Sequence, residues 1–95
     1  MSNKSVERMV VTVLGADRVG IVAGITQVLA ECNANIIDLT SSKMRDLFVM
    51  IMLVDISNVD IGLEELQRKL KVKGEELGVQ VMAQHEDIFR YMHRI

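Results

Sequence analysis

Residues Arg8 to Leu39 read RMVVTVLGADRVGIVAGITQVLAECNANIIDL, and the hydrophobic period changes twice along them. Arg8 to Leu14 is a β-branched run of strand length that stops at Gly15. Beyond a short loop, Ile21, Val22, Ile25, Val28, Leu29 and Cys32 recur at helical spacing with Thr26, Gln27 and Glu31 on the other side, which predicts a helix from about Val19 to Cys32. Asn33-Ala34-Asn35 punctuates its end. Ile36 to Lys43 then alternates as a weakly amphipathic strand, expected at a sheet edge. The stretch is therefore a strand, a crossover helix and a second strand.

The rest of the chain repeats the pattern. Met44-Arg45-Asp46 makes a hairpin turn into Leu47 to Val54, eight consecutive apolar residues that read as a fully buried central strand. Asp60 is placed to cap a second helix, whose Leu63, Leu66, Leu70 and Leu77 form one stripe among charges. Gly74 weakens the last turn of that helix and Gly78 ends it, before Val79 to Ala83 alternates as a fourth strand. His85 to Ile95 carries Ile88, Phe89, Met92 and Ile95 at helical spacing, enough for a short third helix. The fold class is α+β, a ferredoxin-like βαββαβ unit. Its four-stranded antiparallel sheet has two helices on one face and a short C-terminal helix after it. A single domain spans residues 1–95, with its core over about 8–84 and the added helix over about 85–95. Right-handed crossovers place the first and third strands in the centre.

That arrangement creates a surplus of apolar surface. Met9, Val11 and Val13 on one side of the first strand, and Val10, Thr12 and Leu14 on the other, make both of its faces apolar, as Leu47 to Val54 does for the third. Two helices cover only one face, so the C-terminal helix, a second subunit or both must cover the other. A homodimer or higher homo-oligomer is expected. Light scattering that found only a 10.7 kDa species would count against it.

Composition narrows the function further. The chain has 95 residues, a formal net charge of −2, and only Phe48, Phe89 and Tyr91 as aromatics, so it offers neither a basic footprint nor stacking platforms for nucleic acid. Anionic membranes are excluded on the same ground. Lys69, Lys71 and Lys73 sit among Glu64, Glu65, Glu75 and Glu76 and read as a solvated helix face. Cys32, the only cysteine, lies on the apolar stripe of the first helix as a structural thiol and suits a reducing compartment. Met1 to Ser5 lacks the apolar run of a signal peptide, and no apolar run is long enough to span a membrane. Cytoplasmic placement is expected.

Chemistry concentrates in the first loop, Gly15-Ala16-Asp17-Arg18-Val19-Gly20. One reading is structural, with glycines for unusual torsions and Asp17 capping the helix. The other is functional: the free N–H groups and positive dipole end of the helix cradle a ligand carboxylate, while Asp17 accepts from its ammonium group. The spacing is not GxGxxG and no GK[ST] follows, so a nucleotide is not the ligand and no cofactor is implied.

Gly15 to Leu39 resembles the ACT domain family in its glycine-acidic-Arg loop, apolar helix and Asn-Ile pair opening the second strand. The likeness extends through the βαββαβ order over roughly Arg8 to Gln84. Asp87-Ile88-Phe89-Arg90-Tyr91-Met92 makes it most similar to free-standing single-domain members that end in an added helix. The resemblance implies a regulatory module with subunits paired side by side and an amino acid or related small carboxylate held at their interface. By position, Gly15, Asp17 and Gly20 belong to the ligand loop, and Asn35 reaches across from the start of the neighbour's second strand; Arg18, a further ligand-binding candidate, is placed to pair with an acidic ligand. Two positions depart from amino-acid-binding members, which can carry a polar side chain at Gly15 and an amide at Asp17, so serine-like specificity is not expected. Arg18 and Asn35 also have plain readings, as a solvent-facing side chain and a helix exit, and Asp38 could pair across an interface or protect a strand edge.

Other chemistries fit less well. His85 and His93, with Glu86 and Asp87, form the only metal-like set, yet the histidines point about 80° apart on a helix, so no metal is expected. An acylphosphatase-like enzyme would use Arg18 and Asn35 on a phosphoryl group, but Asp17 beside Arg18 would repel it. No catalytic residue is expected. The main rival is a protein-interaction module that docks on a separate enzyme or regulator without a small ligand.

Overall fold

The computed structural model describes residues 7–88. Six elements follow in order: β1 (Arg8–Ala16), α1 (Ile21–Glu31), β2 (Asn35–Met44), β3 (Leu47–Asp55), α2 (Leu63–Leu77) and β4 (Gln80–His85). The sheet order is β2-β3-β1-β4 with every pair antiparallel, so the expected ferredoxin-like arrangement holds and β1 and β3 are central. The third helix expected over about 85–95 falls mostly on residues outside those described. Its first residue, His85, instead closes β4 opposite Met9.

The core forms where the sheet meets the helices. Met9, Val11 and Val13 of β1 and Phe48, Met50, Met52 and Val54 of β3 alternate inward, against Ile21, Ile25 and Leu29 of α1 and Leu66 and Leu70 of α2. Period-two alternation on the strands and period-3.6 recurrence on the helices bring these side chains into one layer. Cys32 is buried in the same cluster. No side-chain polar atom among the described residues is buried without a partner.

Several local expectations need correcting. β3 is not buried on both faces: Leu47 and Ile51 are 37% and 43% exposed, because α1 and α2 lie on the opposite side of the sheet. Asp60 does not cap α2, which starts two residues later than that position allows, after an extended Gly62 that offers no side-chain cap. Gly74 does not fray the helix either. It is buried where α2 closes on β4, and a Cβ there would lie 2.5 Å from Val81 Cγ2. Gly78 does end the helix, in the left-handed conformation at φ 76°. A β-bulge between Ile36 and Asp38 interrupts β2.

Candidate functional site

The loop from Gly15 to Gly20 connects the end of β1 to α1, and each of its residues is held differently. Gly15 sits opposite Phe48 in the sheet, and a Cβ at this position would lie 2.8 Å from Val79 Cγ1 and 3.2 Å from Val79 Cα. Close packing therefore requires glycine there whatever the ligand. Gly20 is the N-cap of α1 at φ 94°, a torsion that costs an L side chain about 1–2 kcal/mol. A Cβ there would meet nothing within 4 Å, so the backbone alone explains that glycine.

Asp17 does not cap α1. Its carboxylate is 3.0 Å from Lys43 Nζ near the end of β2, and its backbone N–H donates to the carbonyl of Asp46 at 3.2 Å. Both contacts tie the loop to the β2–β3 turn. Capping fails because Asp17 lies three positions before the Gly20 N-cap, and the turn offers its side chain a cation instead. Arg18 folds the other way: a Cβ built on Gly78 would lie 3.2 Å from its Nη1, so its guanidinium lies over the C-terminal end of α2, where the helix dipole favours a cation. Val19 is fully exposed.

These placements leave the start of α1 open. No side chain caps it and its first turn holds no acidic residue. Gly24 N–H is the first to bond back, to the Gly20 carbonyl at 2.8 Å, so the preceding donors of the turn face outward with the positive end of the helix behind them. Lys43 was missed by sequence reading; once β2 is seen to hairpin into β3 and β3 to pair with β1, its position beside Asp17 follows from register.

Asn35 lies elsewhere. It pairs with Asp55 at one end of β3, whereas Ala16, next to Asp17, pairs with Leu47 at the other, roughly 26 Å away at the usual strand rise. One chain thus keeps Gly15, Asp17 and Gly20 in the loop before α1, turns Arg18 toward the end of α2, and leaves Asn35 apart. A shallow groove between α1 and the start of β2 is lined by Ala23, Thr26, Gln27, Ala30 and Asn35, and on the same two elements Val22 and Leu39 are 44% and 40% exposed.

At the opposite end of the sheet, His85 Nε2 is 2.6 Å from Glu7 Oε1, and Asp87 N–H donates to His85 Nδ1 at 3.1 Å. Among the described residues no group of His, Cys, Asp and Glu has the grouping of a metal site, and no helix is long and apolar enough to cross a membrane. His93 lies outside those residues.

Residues 7–84 match the profile of the ACT domain family. A UPF0237 protein of Methanocaldococcus jannaschii is 62% identical over 93% of this chain and 98% of its own length. A UPF0237 protein of Listeria innocua is 46% identical over 93% of this chain and 99% of its own. Among solved structures, an ACT domain protein from Streptococcus pneumoniae superposes with a TM-score of 0.79 at 29% identity, covering 90% of this chain and 96% of that one.

Proposed function

The chain belongs to the ACT domain family of small regulatory, ligand-binding modules, and from that premise we propose that it is a non-enzymatic sensor of an amino acid or related small carboxylate, bound between two copies of the chain. The observation that carries this reading is the open start of α1: an uncapped helix N-terminus without an acidic first turn, held beside the Asp17–Lys43 pair. Outward N–H groups and the positive helix end suit a carboxylate. Asp17 suits the ammonium group of a zwitterion, with Lys43 offsetting the negative charge that Asp17 alone would set near the carboxylate.

The distance to Asn35 supports a two-copy site. If two chains pair antiparallel along their β2 edges about a dyad, the start of the partner's β2 comes to the end of this chain's β2, where the loop lies. Asn35 of the second copy then reaches the ligand loop of the first. The exposed Val22 and Leu39, with the small Ala23 and Ala30 beside them, suit that edge contact. A ligand held only at the shared interface stabilises the dimer by mass action and converts metabolite level into assembly. The free Cys32 is consistent with a reducing, cytoplasmic setting.

The test is a thermal-shift screen of the purified protein against the twenty amino acids and common carboxylates, with Asp17→Ala and Asn35→Ala beside it. A rise of several degrees for one compound, lost in both variants, is expected. If no compound shifts the melting temperature and a partner enzyme is retained in a pull-down, a protein-interaction module replaces the sensor.

A further inference from the structure

β1 and β3 are antiparallel, so α1 and α2, which follow them, lie antiparallel too. Where α1 begins, Leu77 packs over Gly24, and a Cβ there would lie 2.9 Å from Leu77 Cδ1. At the other end, Asn33, left-handed at φ 65°, donates through Nδ2 to the Asn58 carbonyl at 3.1 Å and ties the exit of α1 to the segment before α2. Between these contacts the helices leave a cleft of about 370 Å³, a size usual for small-molecule sites. Val28, Cys32, Ile61 and Val72 give it an apolar lining. Lys69 and Lys73, read from the sequence as part of a solvated face, border it instead, with Arg68 beside them and Glu31, Asp60 and Glu76 supplying the opposite charge.

Pairing within the chain accounts for only part of that charge. Arg68 pairs with Glu65, and Lys73 Nζ is 3.1 Å from Glu76 Oε1. Among the described residues no carboxylate lies within 4.0 Å of the Lys69 ammonium group, and no cation lies that close to Asp60 or to Glu31, which accepts from the Gln27 amide at 3.3 Å. One cation and two carboxylates of the cleft are thus unmatched.

We propose that this cleft is a second binding site, for a basic amino acid of the lysine type. The ligand carboxylate meets Lys69, its two ammonium groups meet Asp60 and Glu31, and its methylene stem lies on Val28, Ile61 and Val72. Charge selects the class, because a basic amino acid at neutral pH carries one carboxylate and two cations, the inverse of the unmatched set. A neutral amino acid would leave one carboxylate of the cleft unmatched, a diamine would leave Lys69 unmatched, and an anion would face both carboxylates. The lining selects an aliphatic stem, since a compact ion would leave Val72 in water. The cleft lies within one chain and shares no residue with the Gly15 to Gly20 loop or with Asn35. It therefore stands independently of the two-copy site proposed above.

Titration of the isotope-labelled full chain with L-lysine, followed by amide NMR shifts, tests it. Saturable shifts are expected in the last turn of α1, at Asp60 and Ile61, and along Arg68 to Glu76. L-norleucine, which keeps the stem and lacks the second amine, and 1,5-diaminopentane, which lacks the carboxylate, should each bind about fivefold more weakly, the scale of one exposed ion pair. Asp60→Asn and Lys69→Gln should weaken lysine binding by a similar factor. Both positions are exposed, and the same spectra check that each variant folds. Asp17→Ala should leave the affinity unchanged, which separates this cleft from the loop before α1. Labelling of Cys32, the only thiol, by a maleimide should slow when lysine is present. Absence of saturable shifts in the wild type would overturn the proposal, as would shifts confined to Gly15 to Gly20, or equal affinity in folded Asp60→Asn and Lys69→Gln. Norleucine that binds as tightly as lysine would overturn the basic class.

Discussion

Asp17 has three kinds of partner within reach of its sequence position: a helix N-terminus, a ligand ammonium group and a neighbouring cation. In the folded chain it is held by the cation, Lys43, at 3.0 Å. Gly15 and Gly20 behave differently, since each has a sufficient structural reason, a close Val79 in one case and φ 94° in the other. Their presence is weak evidence for a ligand. Asp55 shows how a local bond becomes a pH dependence. Its Oδ1 accepts from Ser57 N–H at 2.8 Å, and that bond, aided by the Ser57 side chain and nearby Arg8, holds its carboxyl below the ordinary carboxylate range. A carboxyl depressed on folding contributes stability above its unfolded value and loses it as pH falls through the folded one. Asp55→Ala should therefore lower the melting temperature at neutral pH. The gap to wild type should narrow as pH drops below about 4, and a gap that stays constant to pH 2 would remove the charge from the explanation.

At the scale of elements, α2 shows how a helix with a weak apolar stripe is fixed in place. Leu66 and Leu70 are fully buried against the sheet while Val72, two residues on, is 41% exposed. Leu70→Ala should cost about 2–5 kcal/mol, by lost transfer and the cavity left behind, and Val72→Ala should stay within about 0.5 kcal/mol. Urea unfolding of both variants checks the contrast, and equal costs would mean that Val72 is covered in solution. The end of α2 shows a second device: Gly78 takes the left-handed torsion, and the Arg18 guanidinium lies over it at the negative end of the helix. Loop and helix are thus joined through Arg18. In β3 the continuous apolar run Leu47 to Val54 conceals an alternation, with Met50 and Met52 at 0% exposure and Ile51 between them at 43%. One run serves two faces, a core and an open surface.

For the whole molecule, the proposed function ties ligand to assembly. A ligand bound only at the two-copy interface should tighten dimerisation by about 2.7 kcal/mol per site at ~100 times its Kd. The dimer dissociation constant, measured by sedimentation with and without the compound found in the screen, should fall accordingly. A ligand that binds without moving that constant would leave the site standing and remove the coupling.

Much of this protein was legible from its residues. Hydrophobic period is a local property, set by which side chains must face the same way, so RMVVTVL, the Ile21 to Leu29 recurrence and the leucines of α2 determined the element order. Short connections and crossover handedness then determined the sheet order β2-β3-β1-β4. The Gly15 to Leu39 pattern also pointed to the family. Three things depended on contacts between residues distant in the chain, and only the tertiary structure decided them. Register brought Lys43 to Asp17, packing laid Arg18 over Gly78, and strand length put Asn35 at the far end of the sheet from its own chain's loop. A side chain's partner is chosen by whatever the fold brings near it. That proximity is set by the pairing of whole strands, which no single stretch of sequence contains.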